Sequence, residues 1–94
     1  MRKILPFFIM MLVSMVALAQ STVTGTLKDA QTGEPVPGAT VLIKGTAKGA
    51  TTDLDGKYQL SVEDGAVLVF SFIGYTNVEE TVGNRTVINV TMEP

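Results

Sequence analysis

The sequence predicts an all-β domain of about seven strands, a sandwich or a barrel, behind an N-terminal export signal. Three observations lead there. Glycines at 25, 33, 38, 45, 49, 56, 65, 74 and 83 set turn signals roughly every seven to nine residues. The runs between them are rich in valine and threonine, residues that suit a pleated, half-buried surface. No stretch sustains apolar residues at helical spacing.

The export signal comes first. Arg2 and Lys3 form a positive start, Ile4 to Val16 is nearly all apolar, and Ala17-Leu18-Ala19 supplies small residues for a signal peptidase. The apolar run from Ile4 to Ala19 is 16 residues long and is broken by Pro6 and Ser14. A membrane-spanning helix needs about 20 residues. The expectation is a cleaved signal peptide over residues 1–19, cut between Ala19 and Gln20, and one mature domain over residues 20–94. No cysteine follows the signal, so a lipid-modified N-terminus is not expected.

The strands of the mature domain follow in order. Thr22 to Asp29 alternates, with Val23, Gly25 and Leu27 on one face. "AQTGEPVPG" reads as a loop, turned at Thr32-Gly33 and held extended by Pro35 and Pro37. Ala39 to Lys44 is a strand with Ala39, Val41 and Ile43 inward. "GTAKGATT" gives a short strand between glycines. Tyr58, Leu60 and Val62 alternate with Lys57, Gln59 and Ser61, and Glu63-Asp64-Gly65 turns the chain. Ala66 to Ile73, "AVLVFSFI", is apolar on both faces, as in a strand buried on both sides or central in its sheet. After Gly74, a more polar strand runs from Tyr75 to Val82. "GNR" turns again, and Ile88, Val90 and Met92 close the domain on alternating positions.

Composition narrows the function. The mature chain carries five basic residues (Lys28, Lys44, Lys48, Lys57, Arg85) against nine acidic ones, a net charge of −4. The basic residues are scattered, which argues against a nucleic-acid or acidic-membrane surface. The whole sequence has no histidine and no cysteine, so the common nucleophile–base pairs cannot be built. The domain also lacks the disulfides on which small secreted proteins often rely.

The remaining acids sit at predicted turns (Asp53, Asp55, Glu63, Asp64) or are neighbours on a strand (Glu79, Glu80), which reads as solvated surface charge. Asp53-Leu54-Asp55-Gly56 invites comparison with a calcium loop. With Gly56 as the sixth position of a helical-hand loop, the first is Thr51 and the twelfth is Val62. Neither is the required carboxylate, so the stretch reads as a tight turn delivering Tyr58 inward, although other calcium geometries occur on β-sandwiches. Two sequons, at Asn84 and Asn89, read as chance. The sequence therefore offers no catalytic, cofactor-binding or metal-ligating residue, and no cofactor is expected. Leu42, Val67, Val69, Ile73 and Val87 fall opposite the inward positions of their strands. They fit either plain strand propensity or a second packing surface for an attached domain.

Several pieces in order carry a resemblance. They are Asp29 with Thr32-Gly33-Glu34-Pro35, Pro37-Gly38-Ala39, Lys44-Gly45-Thr46, Thr52-Asp53-Leu54-Asp55-Gly56 with Tyr58, and Phe72-Ile73-Gly74-Tyr75. Together, over Val23 to Glu93, they resemble the carboxypeptidase-regulatory-like domain. The chain is similar in particular to the form at the N-terminus of SusC/RagA-like TonB-dependent outer-membrane transporters. The resemblance implies a seven-stranded transthyretin-like, Ig-like β-sandwich without catalytic activity, on the periplasmic side of a Gram-negative outer membrane. It also implies partners: a TonB-dependent plug and barrel with its surface lipoprotein, and other envelope proteins. Contact with the membrane would come only through the barrel, which imports oligosaccharides or peptides. The related hydroxyisourate hydrolases use histidines, so their activity does not carry over. In the transporters an acidic, valine-rich TonB-contacting segment and the plug follow the last strand. Here the sequence closes on Met92-Glu93-Pro94, so the expectation is the head of a truncated or split transporter. The alternative is a stand-alone secreted binding module for a carbohydrate, a peptide or a surface protein.

Overall fold

The computed structural model describes residues 20–94, so the predicted signal peptide over 1–19 lies outside the described residues. Seven strands follow: β1 (Gln20–Asp29), β2 (Thr40–Ile43), β3 (Gly49–Thr51), β4 (Lys57–Glu63), β5 (Val67–Ser71), β6 (Val78–Thr81) and β7 (Val90–Met92). They form two sheets, one in the order β4-β1-β7 and one in the order β3-β2-β5-β6. The all-β, seven-stranded reading of the sequence holds, and the sandwich is chosen over the barrel.

Alternation decides which side chains fill the space between the sheets. β4 follows a strict exposed–buried pattern, with Tyr58, Leu60 and Val62 inward. Antiparallel pairing sets Val23 opposite Leu60 and Gly25 opposite Tyr58. β7 runs parallel to β1, pairing Leu27 with Val90. From the other sheet come Val41, Leu68 and Phe70, and from the connections Val36, Ala39, Val82 and Ile88, all buried. Full burial of one such aliphatic or aromatic side chain contributes about 1.5–3 kcal/mol. Every described buried side-chain polar atom has a hydrogen-bond partner.

β5 is internal to its sheet, between β2 and β6, as its two apolar faces predict. It is shorter than expected, however. It ends at Ser71 rather than Ile73, and β6 begins at Val78 rather than Tyr75. The reason is a turn over Phe72 to Tyr75. The Tyr75 N–H donates to the Phe72 carbonyl at 3.1 Å, and Gly74 has φ +90° while, among the described residues, none other than glycine has a positive φ. That combination defines a type II turn with Ile73 at its tip.

Strand directions sort the connections to two ends. β1 and β7 finish, and β4 begins, at the end formed by the connections 30–39, 52–56 and 72–77 and by Glu93 and Pro94. Gln20 and the connections 44–48, 64–66 and 83–86 lie at the opposite end. Lateral hydrogen bonds bind the first end together. The Thr76 N–H reaches the Glu93 carbonyl at 2.8 Å, and the Gly38 N–H reaches the Thr52 carbonyl at 3.0 Å.

Candidate functional site

The carboxylates suspected of ion binding come first. Asp53 Oδ1 accepts the N–H groups of Asp55 and Lys57, each at 2.9 Å, and the Gly56 N–H closes the turn on the Asp53 carbonyl at 2.9 Å. Gly56 has φ +75°, and a Cβ there would stand 2.5 Å from the Leu27 carbonyl oxygen. Gly56 is thus required twice, by its dihedral and by the close approach of β1. Asp53 is used as a turn cap. Among the described residues, no three or more potential ligands converge on a metal site. Glu79 pairs with Lys44 and Glu80 with Arg85, both at 3.1 Å and both at the surface, where such pairs contribute little. Asn89, the second sequon asparagine, accepts the Thr26 N–H at 3.0 Å through Oδ1.

A depression of about 570 Å³ lies on the outer face of the β4-β1-β7 sheet. Thr24 and Thr26 of β1, Lys57 and Gln59 of β4, and Val87 and Asn89 line it. These side chains alternate with the buried ones, so strand periodicity alone brings hydroxyls and amides together there. The lining has one carboxylate, Asp53, which caps its turn, and one cation, Lys57. Its hydroxyls and amides offer hydrogen bonds to a polar ligand.

The end carrying the 30–39, 52–56 and 72–77 connections has more specific construction. Asp29 Oδ1 accepts the N–H groups of Gln31 (2.7 Å) and Thr32 (3.0 Å), and Oδ2 accepts the Tyr75 hydroxyl at 2.7 Å. The Tyr75 hydroxyl, and then the two backbone N–H groups, hold the Asp29 carboxyl below its ordinary range. Donation to that carboxylate raises the Tyr75 phenol in turn. Thr52 is buried and ties two connections: its hydroxyl donates to the Val36 carbonyl at 2.6 Å and accepts the Ala39 N–H at 2.9 Å.

Two large apolar residues project from this bound-down framework. Leu54 is 86% exposed and Ile73 is 93% exposed. Each stands at the second position of its turn, where neither backbone geometry nor the core requires an apolar side chain. Phe72, exposed beside Ile73, lies 5.9 Å from the Tyr75 ring, in a cleft of about 350 Å³ that Gly38, Thr40, Ser71 and Ile73 also line. The sequence reading put Ile73 on a strand face with Leu42, Val67 and Val69, and the structure separates them. Leu42, Val67 and Val69 share the outer face of the second sheet, where Leu42 lies over Gly49. Val87 is on the outer face of the first sheet. The reading missed Leu54, whose exposure follows from the turn that Asp53 and Gly56 announce.

A family model described as CarboxypepD_reg-like domain matches residues 23–94. Among curated relatives, the TonB-dependent receptor SusC of Bacteroides thetaiotaomicron is 57% identical over 56 residues, covering 60% of this chain and 6% of its own length. TonB-dependent receptor P39 of Formosa agariphila is 42% identical over 94 residues, covering 95% of this chain and 9% of its own. The chain thus spans less than a tenth of these relatives. Among solved structures, a chain of a type II cohesin–X-dockerin complex from Acetivibrio cellulolyticus superposes with TM-score 0.58 at 26% identity. That match covers 76% of this chain and 51% of the other. A protein of unknown function from Bacteroides fragilis, described as membrane-associated, superposes with TM-score 0.60 at 27% identity, covering 82% and 28%.

Proposed function

Since the chain belongs to the CarboxypepD_reg-like domain family, we propose that it works as the N-terminal domain of a SusC-like TonB-dependent outer-membrane transporter. In this reading the domain sits on the periplasmic side. It has no catalytic step of its own and serves nutrient uptake, of oligosaccharides or peptides, as an interaction or regulatory module. The observation that carries the proposal is the relation to P39, which runs through 95% of this chain yet occupies 9% of a TonB-dependent receptor. The fold supports it. A self-contained sandwich with tied connections presents a rigid surface at little entropic cost on binding. The barrel and its surface lipoprotein are the expected partners.

The polar groove over Thr24, Thr26, Gln59 and Asn89 favours a second reading, a free-standing module that binds a hydrogen-bonding ligand such as a carbohydrate or a peptide. One experiment separates the two. An antibody against residues 20–94 is used to isolate the chain from envelopes dissolved in mild detergent, and mass spectrometry identifies what accompanies it. Peptides of a TonB-dependent plug and barrel, in amounts comparable to the domain, are expected. Recovery of residues 20–94 without them sinks the transporter reading and leaves the free-standing module.

A further inference from the structure

The two ends of the sandwich differ in charge as well as in apolar exposure. The connections 30–39, 52–56 and 72–77, with Glu93 and Pro94, carry Glu34, Asp53, Asp55 and Glu93; with Asp29, Lys28 and Lys57 at the adjoining strand ends, this end has five acids against two lysines, a net charge of −3. The opposite end carries Lys44, Lys48 and Arg85 against Glu63 and Asp64, a net charge of +1. Leu54 and Ile73 therefore rise from a net acidic rim, and Ile73 lines the cleft beside Phe72. The Thr76–Glu93 hydrogen bond fixes Glu93 at this same end, beside the 72–77 connection. In a polypeptide the length of the curated relatives, whatever followed would leave from this same end, next to the 72–77 connection.

We infer that this end is a docking surface, and that Leu54 and Ile73 insert into an apolar recess bordered by lysine or arginine on the plug-and-barrel portion of the receptor. The inference rests on the transporter reading above. Charge selects the occupant. A second copy docked end to end would set acidic rim against acidic rim, and like charges in contact oppose association. A bilayer with anionic headgroups would repel the same rim. A recess with a basic border matches both the apolar tips and the acids around them. The tied framework beneath, through Thr52 and the Asp29–Tyr75 pair, keeps the two tips in place before contact.

A photoreactive amino acid placed singly at position 54, 73, 42 or 87 in the full chain, in source cells, tests this. Positions 42 and 87 are exposed apolar sites away from this end. Crosslinked peptides are identified by mass spectrometry. The expected result is capture of plug or barrel peptides from 54 and 73, at least about tenfold above capture from 42 and 87, with lysine or arginine flanking the captured residues. Leu54→Asp, with Phe72 unchanged, should lower capture from the probe at 73 by a similar factor. Plug or barrel capture from 42 or 87 instead would overturn this inference and leave the transporter reading standing. Capture of a second copy or of lipid from 54 and 73 would also overturn it. Absence of receptor peptides from all four positions would remove both.

Discussion

Tyr58 donates its hydroxyl to the Ile88 carbonyl at 2.6 Å across the space that Gly25 leaves empty. Gly25 is the register partner of Tyr58 on β1, and a Cβ there would stand 1.9 Å from that same carbonyl oxygen and 2.9 Å from the Tyr58 ring. The Ile88 N–H meanwhile donates to the Thr24 carbonyl at 2.9 Å, so the segment entering β7 is held against β1. Phe70 of the other sheet meets the Tyr58 ring edge-on at 5.4 Å. Burial pushes the Tyr58 phenol up to about 12, so it remains a neutral donor at physiological pH.

Tyr58→Phe should cost about 1–2 kcal/mol, since it leaves a buried carbonyl without its donor. Gly25→Ala should cost more, because the clash is with backbone that cannot swing aside. Urea melts of the mature domain check both. A Gly25→Ala melt equal to wild type would mean that β1 and the Ile88 segment are not so close.

Thr52→Val should destabilise by about 1–3 kcal/mol, because the Val36 carbonyl and the Ala39 N–H both lose their partner in a buried place. Thr52→Ser keeps the hydroxyl and should recover most of the loss. Equal losses in the two variants would assign the effect to packing instead.

The Asp29–Tyr75 pair predicts an acid dependence. The Asp29 pKa is lowered in the folded state, so its contribution is present above the unfolded carboxyl value of about 3.9 and is lost as pH falls through the folded value. In Tyr75→Phe the Asp29 pKa should rise toward its ordinary value, remaining below it because the Gln31 and Thr32 N–H groups still bond the carboxylate. Carbon-13 titration of the Asp29 carboxyl reads this directly. An unchanged pKa would show that the hydroxyl contact does not persist in solution.

Calcium should leave the melting temperature of the mature domain unmoved at millimolar concentration. Asp53 is engaged by the N–H groups of Asp55 and Lys57, and no set of acids converges around it among the described residues. A saturable rise in Tm would establish an ion site that the turn geometry does not suggest.

Much of the fold was legible because alternation is a local signal. Val23 and Leu27 on β1, and Tyr58, Leu60 and Val62 on β4, were placed inward from spacing alone, and all five are buried. The misplaced strand ends, at Ser71 and Val78, lie around Gly74, where a type II turn claims four residues that look as apolar as a strand. The apolar tips were less legible. Spacing alone puts Ile73 on a strand face, and it marks Leu54 only as part of a turn. That the two share one end with Glu93 depends on strand directions and on the Thr76–Glu93 contact, which no local pattern encodes. Thr52 illustrates the same limit. Among 12 threonines, nothing in the sequence marks the one whose hydroxyl is buried between two connections.

The central claim, that this domain is carried by an outer-membrane transporter, is tested most directly by where residues 20–94 sediment. Source-cell envelopes are separated on a density gradient, and the domain is quantified by antibody in the outer-membrane, inner-membrane and soluble periplasmic fractions. The account predicts that nearly all of it bands with the outer membrane and stays there through a high-salt wash. Recovery chiefly in the soluble periplasmic fraction would contradict it.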